Sequence, residues 1–128
     1  MATAKGNSKL GNNVYTYSRP AGVTCPGASD DCLRVCYAAA ITKRWPSTLK
    51  AWAANIGPGA PVIPVNAKLF RIHVSGDFDS VAYIDSWIKA VTDRPEVTFW
   101  AYTRSWRMAI LLPALERLRA LPNMQLFA

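Results

Sequence analysis

Outside the twelve-residue window from Cys25 to Cys36 the chain has no cysteine, and in all 128 residues it has one histidine, His73. An odd, clustered set of three thiols cannot all pair within one chain, which argues for a metal before a disulfide. No Ser-His-Asp arrangement and no glycine-rich phosphate loop is present, which removes two common catalytic readings. No stretch reaches the roughly 18 to 20 uninterrupted apolar residues of a membrane span, and Met1-Ala2-Thr3-Ala4-Lys5-Gly6 lacks the apolar run of a secretion signal. The expectation is a cytoplasmic protein with no membrane partner. There are no internal repeats or low-complexity tracts, and no helix-turn-helix, zinc-finger or RNA-binding signature.

What is present is half hydrophobic (51%), enough for one domain with a sizeable core that folds without help from a metal. A metal would then serve function rather than folding. The formal charge is +7, which draws a protein toward polyanions and keeps nucleic acid as a partner, although Arg and Lys are spread from Lys5 to Arg119 with no block of five or six.

Residues 1–13 are rich in Gly, Asn, Ser and Lys and predict a flexible arm, with a single domain over 14–128. Val14-Tyr15-Thr16-Tyr17 predicts a first strand, closed by the turn Arg19-Pro20-Ala21-Gly22. Asp30 or Asp31 then caps a helix over Cys32 to Trp45, which puts Cys32 and Cys36 on one helical face and stops at Pro46. Ser47 or Thr48 enters a second helical piece that ends before Gly57. Strict alternation over Lys68 to Ser75 predicts a strand with Phe70, Ile72 and Val74 on one face and Arg71, His73 and Ser75 on the other. An amphipathic helix follows from Asp79 or Ser80 to Val91, then a strand over Val97 to Thr103. Ser105 to Ala120 reads as helix kinked or divided by Pro113, and Met124 to Ala128 as a last strand.

The order β-loop-α-β-α-β-α-β predicts an α/β fold with a parallel sheet built of βα repeats. In such sheets the ligand loops gather at the carboxyl ends of the strands. That edge collects the cysteine loop, Ser75-Gly76-Asp77 and Thr103-Arg104-Ser105.

For Cys25, Cys32 and Cys36 three chemistries stand open: an iron–sulfur cluster, [4Fe–4S] before [3Fe–4S]; zinc, with His73 as a fourth ligand; and three buried, inert thiols. Pro26-Gly27 either lets backbone amides approach the sulfides or is simply a turn, and Arg34 either offsets cluster charge or points to solvent. His73, Gly76, Asp77 and Arg104 are the candidate cofactor-binding residues. Asp77 can instead cap the next helix, and His73 can instead be a hydrogen-bonded core histidine. Trp45, Trp52, Trp106 and Arg107 could stack on nucleic-acid bases, and helix–sheet packing explains tryptophans equally well. A zinc-stabilised basic module that binds nucleic acid is the alternative function.

The cysteine loop after strand one, Cys36-Tyr37-Ala38 entering the helix, and Ser75-Gly76-Asp77 ending strand two resemble the first half of a radical S-adenosylmethionine barrel. The resemblance implies a truncated, half TIM-like barrel and a [4Fe–4S] cluster held by three cysteines. It also implies S-adenosylmethionine at the open iron, near a segment corresponding to Ser75-Gly76-Asp77. The spacing here is Cys-x6-Cys-x3-Cys where that family has Cys-x3-Cys-x2-Cys, and Asp77 stands where a glutamate is usual. Lys9-Leu10-Gly11-Asn12-Asn13, Thr24-Cys25-Pro26-Gly27-Ala28, His73 to Phe78 and Phe99 to Trp106 are similar to a family of phage-encoded proteins over essentially the whole chain. The function expected from both is a phage iron–sulfur protein in the host cytoplasm, acting in electron transfer, in redox sensing or as a radical S-adenosylmethionine-like protein. Its partner would be a redox or host protein.

Overall fold

A computed structural model describes residues 3–7, 11–57 and 59–128. It is an α/β fold around a mostly parallel, mixed five-stranded sheet in the order β1-β2-β3-β4-β5. Strand β1 (Ala4–Asn7) runs antiparallel to β2 (Gly11–Tyr17), and β3 (Leu69–Ile72), β4 (Thr98–Tyr102) and β5 (Met124–Phe127) follow in parallel. Helices α1 (Asp30–Arg34), α2 (Tyr37–Arg44) and α3 (Pro46–Ala53) fill the first crossover. Helix α4 (Val81–Thr92) fills the second, and a 3₁₀ turn at Ser105–Arg107 with α5 (Leu112–Arg119) fills the third.

Each parallel strand lies beside its neighbour in sequence, so every crossover steps the same way, and α4 and α5 pack on one face of the sheet. The register makes the two faces explicit. Tyr15, Phe70, Phe99 and Met124 stand in one row across four strands and face the helices, while Thr16, Arg71, Trp100 and Gln125 form the adjacent row on the opposite face. Phe70, Ile72, Phe99 and Ala101 pack against Tyr83, Ile84, Trp87 and Val91 of α4 and Leu115 and Leu118 of α5. Trp87 lies 5.8 Å from both the Tyr17 and Phe70 rings and is fully buried, and a buried aromatic of this size is among the largest single hydrophobic contributions a small core has.

Several expectations are corrected. The predicted arm is strand at Ala4–Asn7 and Gly11–Asn13, because edge pairing uses backbone groups and requires no apolar side chains; residues 1, 2 and 8–10 lie outside the described residues. The sheet is therefore mixed rather than purely parallel. The helix expected over Cys32 to Trp45 is broken at Val35-Cys36: Ser29, not Asp30 or Asp31, caps α1, and Cys36 turns extended to cap α2. Cys32 and Cys36 thus do not share a helical face. Pro46 ends α2 and also opens α3 as its first residue, where its missing N–H costs nothing, so Ser47 and Thr48 lie inside that helix.

The strand over Lys68 to Ser75 stops at Ile72, because His73 has φ +64° and reverses the alternation. The His73 ring therefore leaves the Arg71 face and enters the core. There its Nε2 meets the Tyr83 hydroxyl at 2.7 Å and its ring packs edge-on against Phe78, centroids 4.8 Å apart. Burial, assisted by the Arg19 charge, pushes its pKa down to about 3. The unfolded ring takes up a proton below about pH 6.5 while the folded one stays neutral. Its contribution to stability is complete above that pH and lost as pH falls toward the folded value. We expect the stability difference between the unaltered chain and His73→Gln, from urea unfolding, to shrink steadily between pH 7 and pH 4; a constant difference would contradict a neutral buried ring.

Candidate functional site

Three loops leave the carboxyl edge of β2, β3 and β4 and, with Ala128 after β5, border a cleft of about 400 Å³, lined by Cys25, Cys32, Cys36, Arg71, His73, Ser75, Gly76, Asp77, Tyr102 and Arg104 among others. That volume suits a small cofactor. The three cysteines and all four candidate cofactor-binding residues border this one cleft, and the three cysteines are free and half-buried.

The clamp that holds the loops together is Asp77. One carboxylate oxygen accepts from Phe78 N at 2.8 Å and from Thr103 Oγ1 at 2.6 Å, and the other accepts from Arg104 N at 2.8 Å. Thr103 Oγ1 in turn accepts from Ser105 N at 3.0 Å, and Ser105 Oγ donates to the Phe78 carbonyl at 2.5 Å. Burial raises the Asp77 pKa, and hydrogen bonds from Thr103, Arg104 and Phe78 pull against that rise. Asp77 is neither a helix cap nor a free carboxylate: Ser80 caps α4.

The cysteine loop reaches the clamp through glycines. A Cβ on Gly27 would collide with the Arg104 carbonyl, and Arg107 Nη1 donates to the Gly27 carbonyl at 3.0 Å. Gly27 is thus required by the approach of two backbones. Gly76 has φ +85°, and a Cβ there would lie 2.6 Å from Thr24 Oγ1 and 2.8 Å from the Arg19 carbonyl. Sequence reasoning read Arg19 only as part of a turn. It is 2% exposed, pairs with Asp79 at 3.0 Å, lies 4.1 Å above the Tyr83 ring and donates its backbone N–H to the Ser75 carbonyl. The signal that could have found it is weak: an Arg beside a Pro at a strand end.

Around the thiols, Cys25 N donates to the Gly22 carbonyl at 3.1 Å and Ala28 N to the Cys25 carbonyl at 3.2 Å, two tight turns that fix the loop. Cys36 Sγ accepts from Ala39 N at 3.4 Å, which holds that sulfur at the start of α2. Burial pushes the Cys25 thiol pKa up, and the nearby Asp77, Cys36 and Cys32 add to the rise. Among the described residues no three His, Cys, Asp or Glu side chains stand close enough to hold a single metal ion. A tetrahedral zinc with Zn–S near 2.3 Å needs sulfurs about 3.8 Å apart. His73 does not complete such a set, since its Nε2 is engaged by Tyr83. In a polynuclear centre each thiolate would bind a different iron rather than one shared ion.

With the cleft described, comparison with known proteins adds a lineage. Residues 1–56 and 63–128 match the family described as Gene product 88. The chain belongs to the gene product 88 family. It is 31% identical over 132 aligned positions to the Gene 88 protein of Mycobacterium phage L5, covering 86% of this chain and 55% of that one. It is 30% identical over 147 positions to the Gene 88 protein of Mycobacterium phage D29, covering 98% of this chain and 60% of that one. This gene product 88 chain therefore spans less than two thirds of the length of the curated relatives it matches. No solved structure matches it. No helix among the described residues is long and apolar enough to cross a membrane.

Replacing Asp77 with Ala leaves two buried donors and one partly buried donor without their acceptor, each costing about 1 kcal/mol. We expect urea unfolding to show a loss of about 3 kcal/mol, with Asp77→Asn losing less because one acceptor oxygen remains. Gly27→Ala should cost about 2 kcal/mol by forcing the cysteine loop off the Arg104 backbone. A Gly27→Ala chain as stable as the parent would show that the two loops do not touch.

Proposed function

We propose that this protein binds an iron–sulfur cluster through Cys25, Cys32 and Cys36 and acts in electron transfer or redox sensing. The observation that carries the reading is that three thiols, the chain's only cysteines, border one cofactor-sized cleft. Three thiolates suit a cluster with three protein-bound irons, whereas tetrahedral zinc would need a fourth protein ligand, and His73 is engaged by Tyr83. When bound, a cluster would supply reversible one-electron transfer. Arg104 lines the same cleft and would offset the negative charge of the thiolates, while Arg107 anchors the cysteine loop through Gly27. The exposed Val23 and Val35 beside the cysteines leave the cluster near solvent, as transfer to a redox partner requires.

The sheet also reads as part of a barrel, since a barrel demands that each parallel strand lie beside the next in sequence. A radical S-adenosylmethionine-like activity is less well supported. Both oxygens of Asp77, at the position where that resemblance expects a carboxylate for the amino group, are engaged by Phe78, Thr103 and Arg104.

Anaerobic purification should yield iron and inorganic sulfide in fixed ratio and a brown protein, with both lost in the Cys25→Ala, Cys32→Ala, Cys36→Ala chain. Zinc, or no metal in either chain, would sink the reading. Because each ligand must be a thiolate and burial raises the Cys25 pKa, loading must expel protons. Reconstitution at pH 8.5 is therefore expected to proceed further than at pH 6.5, with proton release measurable by indicator dye. An electron paramagnetic resonance spectrum unchanged by S-adenosylmethionine is the expected result for a redox centre.

A further inference from the structure

Helices α2 and α3 are eight residues each, too short to persist alone in water, yet they bury almost nothing: Ala38 is the one buried residue of α2 and α3 has none. Their tie to the sheet is Asn55, just beyond α3, whose carbonyl accepts from Tyr17 Oη at 2.9 Å and whose side-chain amide donates to the Ser18 carbonyl at 2.8 Å. Trp45, between the two helices, is 56% exposed, and Leu49 beside it 43%. A helical pair that displays its apolar residues is a surface awaiting a partner.

Charge identifies the partner. From Cys32 to Gly76 there is no Asp or Glu, while Arg34, Lys43, Arg44, Lys50, Lys68 and Arg71 all lie in that stretch. The ion pairs among the described residues use Arg19, Arg34, Lys89, Arg94, Arg117 and Arg119. Lys43, Arg44 and Lys50 of α2 and α3 take part in none of them, and the Arg44 guanidinium sits 5.7 Å above the Trp45 ring. Cations without counter-ions around an exposed indole are the chemistry that single-stranded nucleic acid meets: phosphates on the cations and an unstacked base on the ring. A membrane surface fits less well, because between the cations stand Trp45, Pro46, Ser47, Thr48 and Leu49, where one indole and one leucine make too small an apolar face to seat a helix among acyl chains.

We propose that the α2–α3 face binds single-stranded nucleic acid, with Lys43, Arg44 and Lys50 on the phosphate backbone and Trp45 stacked on a base. The site uses no thiol, so oligonucleotide affinity and iron content are separate readouts and the two proposals fail separately.

The test is fluorescence anisotropy of a labelled oligothymidine over a salt series. The triple variant Lys43→Ser, Arg44→Ser, Lys50→Ser is expected to bind at least ten-fold more weakly and to lower the slope of log K against log salt by about 2, three contacts at about 0.7 each. Lys89→Ser, Arg117→Ser, Arg119→Ser makes the same change in net charge on α4 and α5 and is expected to leave the affinity within about two-fold, since those cations already have acidic partners. Trp45→Ala should weaken binding about five-fold or more with the slope unchanged. Equal losses in the two triple variants would reduce the effect to net charge and overturn the site. So would binding to phosphatidylserine vesicles without binding to the oligonucleotide, or self-association through this face in sedimentation without oligonucleotide binding.

Discussion

One buried carboxylate organises the functional edge of this molecule. Asp77 takes hydrogen bonds from its own loop and from the loop after β4, so the ends of β3 and β4 are joined without any disulfide or metal. The cost of burying that charge is offset by three donors aimed at it, an arrangement that works only if all three are present. Gly27 and Gly76 then bring the cysteine loop against the clamp, because only an absent side chain lets backbones meet so closely. The position of the thiols follows from polar geometry that contains no sulfur. A core able to fold before any metal arrives is consistent with this division: α4 and α5 pack on the far face of the sheet, well supplied with buried aromatics.

Much of this was legible before the structure. The βα alternation placed the cysteine loop, Ser75-Gly76-Asp77 and Thr103-Arg104-Ser105 on one edge, and all three segments border the cleft. The α4 pattern, with Ile84, Trp87 and Val91 on one face and Ser80 as cap, was read nearly to the residue because an amphipathic period and a capping side chain are local signals. The failures have a common physical cause. β1 is polar and pairs through its backbone, His73 adopts a left-handed conformation rare for any residue but glycine, and the chain breaks at Val35-Cys36 so that a thiol can cap α2. Each is imposed by tertiary context, to which side-chain periodicity is blind.

The same blindness applied to Asp77. Its sequence position suggested a ligand contact or a helix cap; Ser80 is the cap, and two of the three donors to Asp77 come from the loop after β4, 26 and 27 residues away in the chain. The electrostatics of the molecule are equally uneven. The carboxylates of Asp85, Asp93, Glu96 and Glu116 are paired with Arg or Lys of α4, α5 and the loop between α4 and β4. The cleft and the helices beside it keep the basic groups that these pairs do not use.

The strand order has a consequence for biosynthesis. Because β2, β3, β4 and β5 are added side by side in the order in which they are encoded, each strand emerging from a ribosome finds the edge it must pair with already made. No strand has to wait for a later one or be inserted between two that are already joined. The thiol loop is made early, but the residues that clamp it, Asp77 and then Thr103 and Arg104, are made long after, so the cysteines stay open until Arg104, 68 residues beyond Cys36, has been translated.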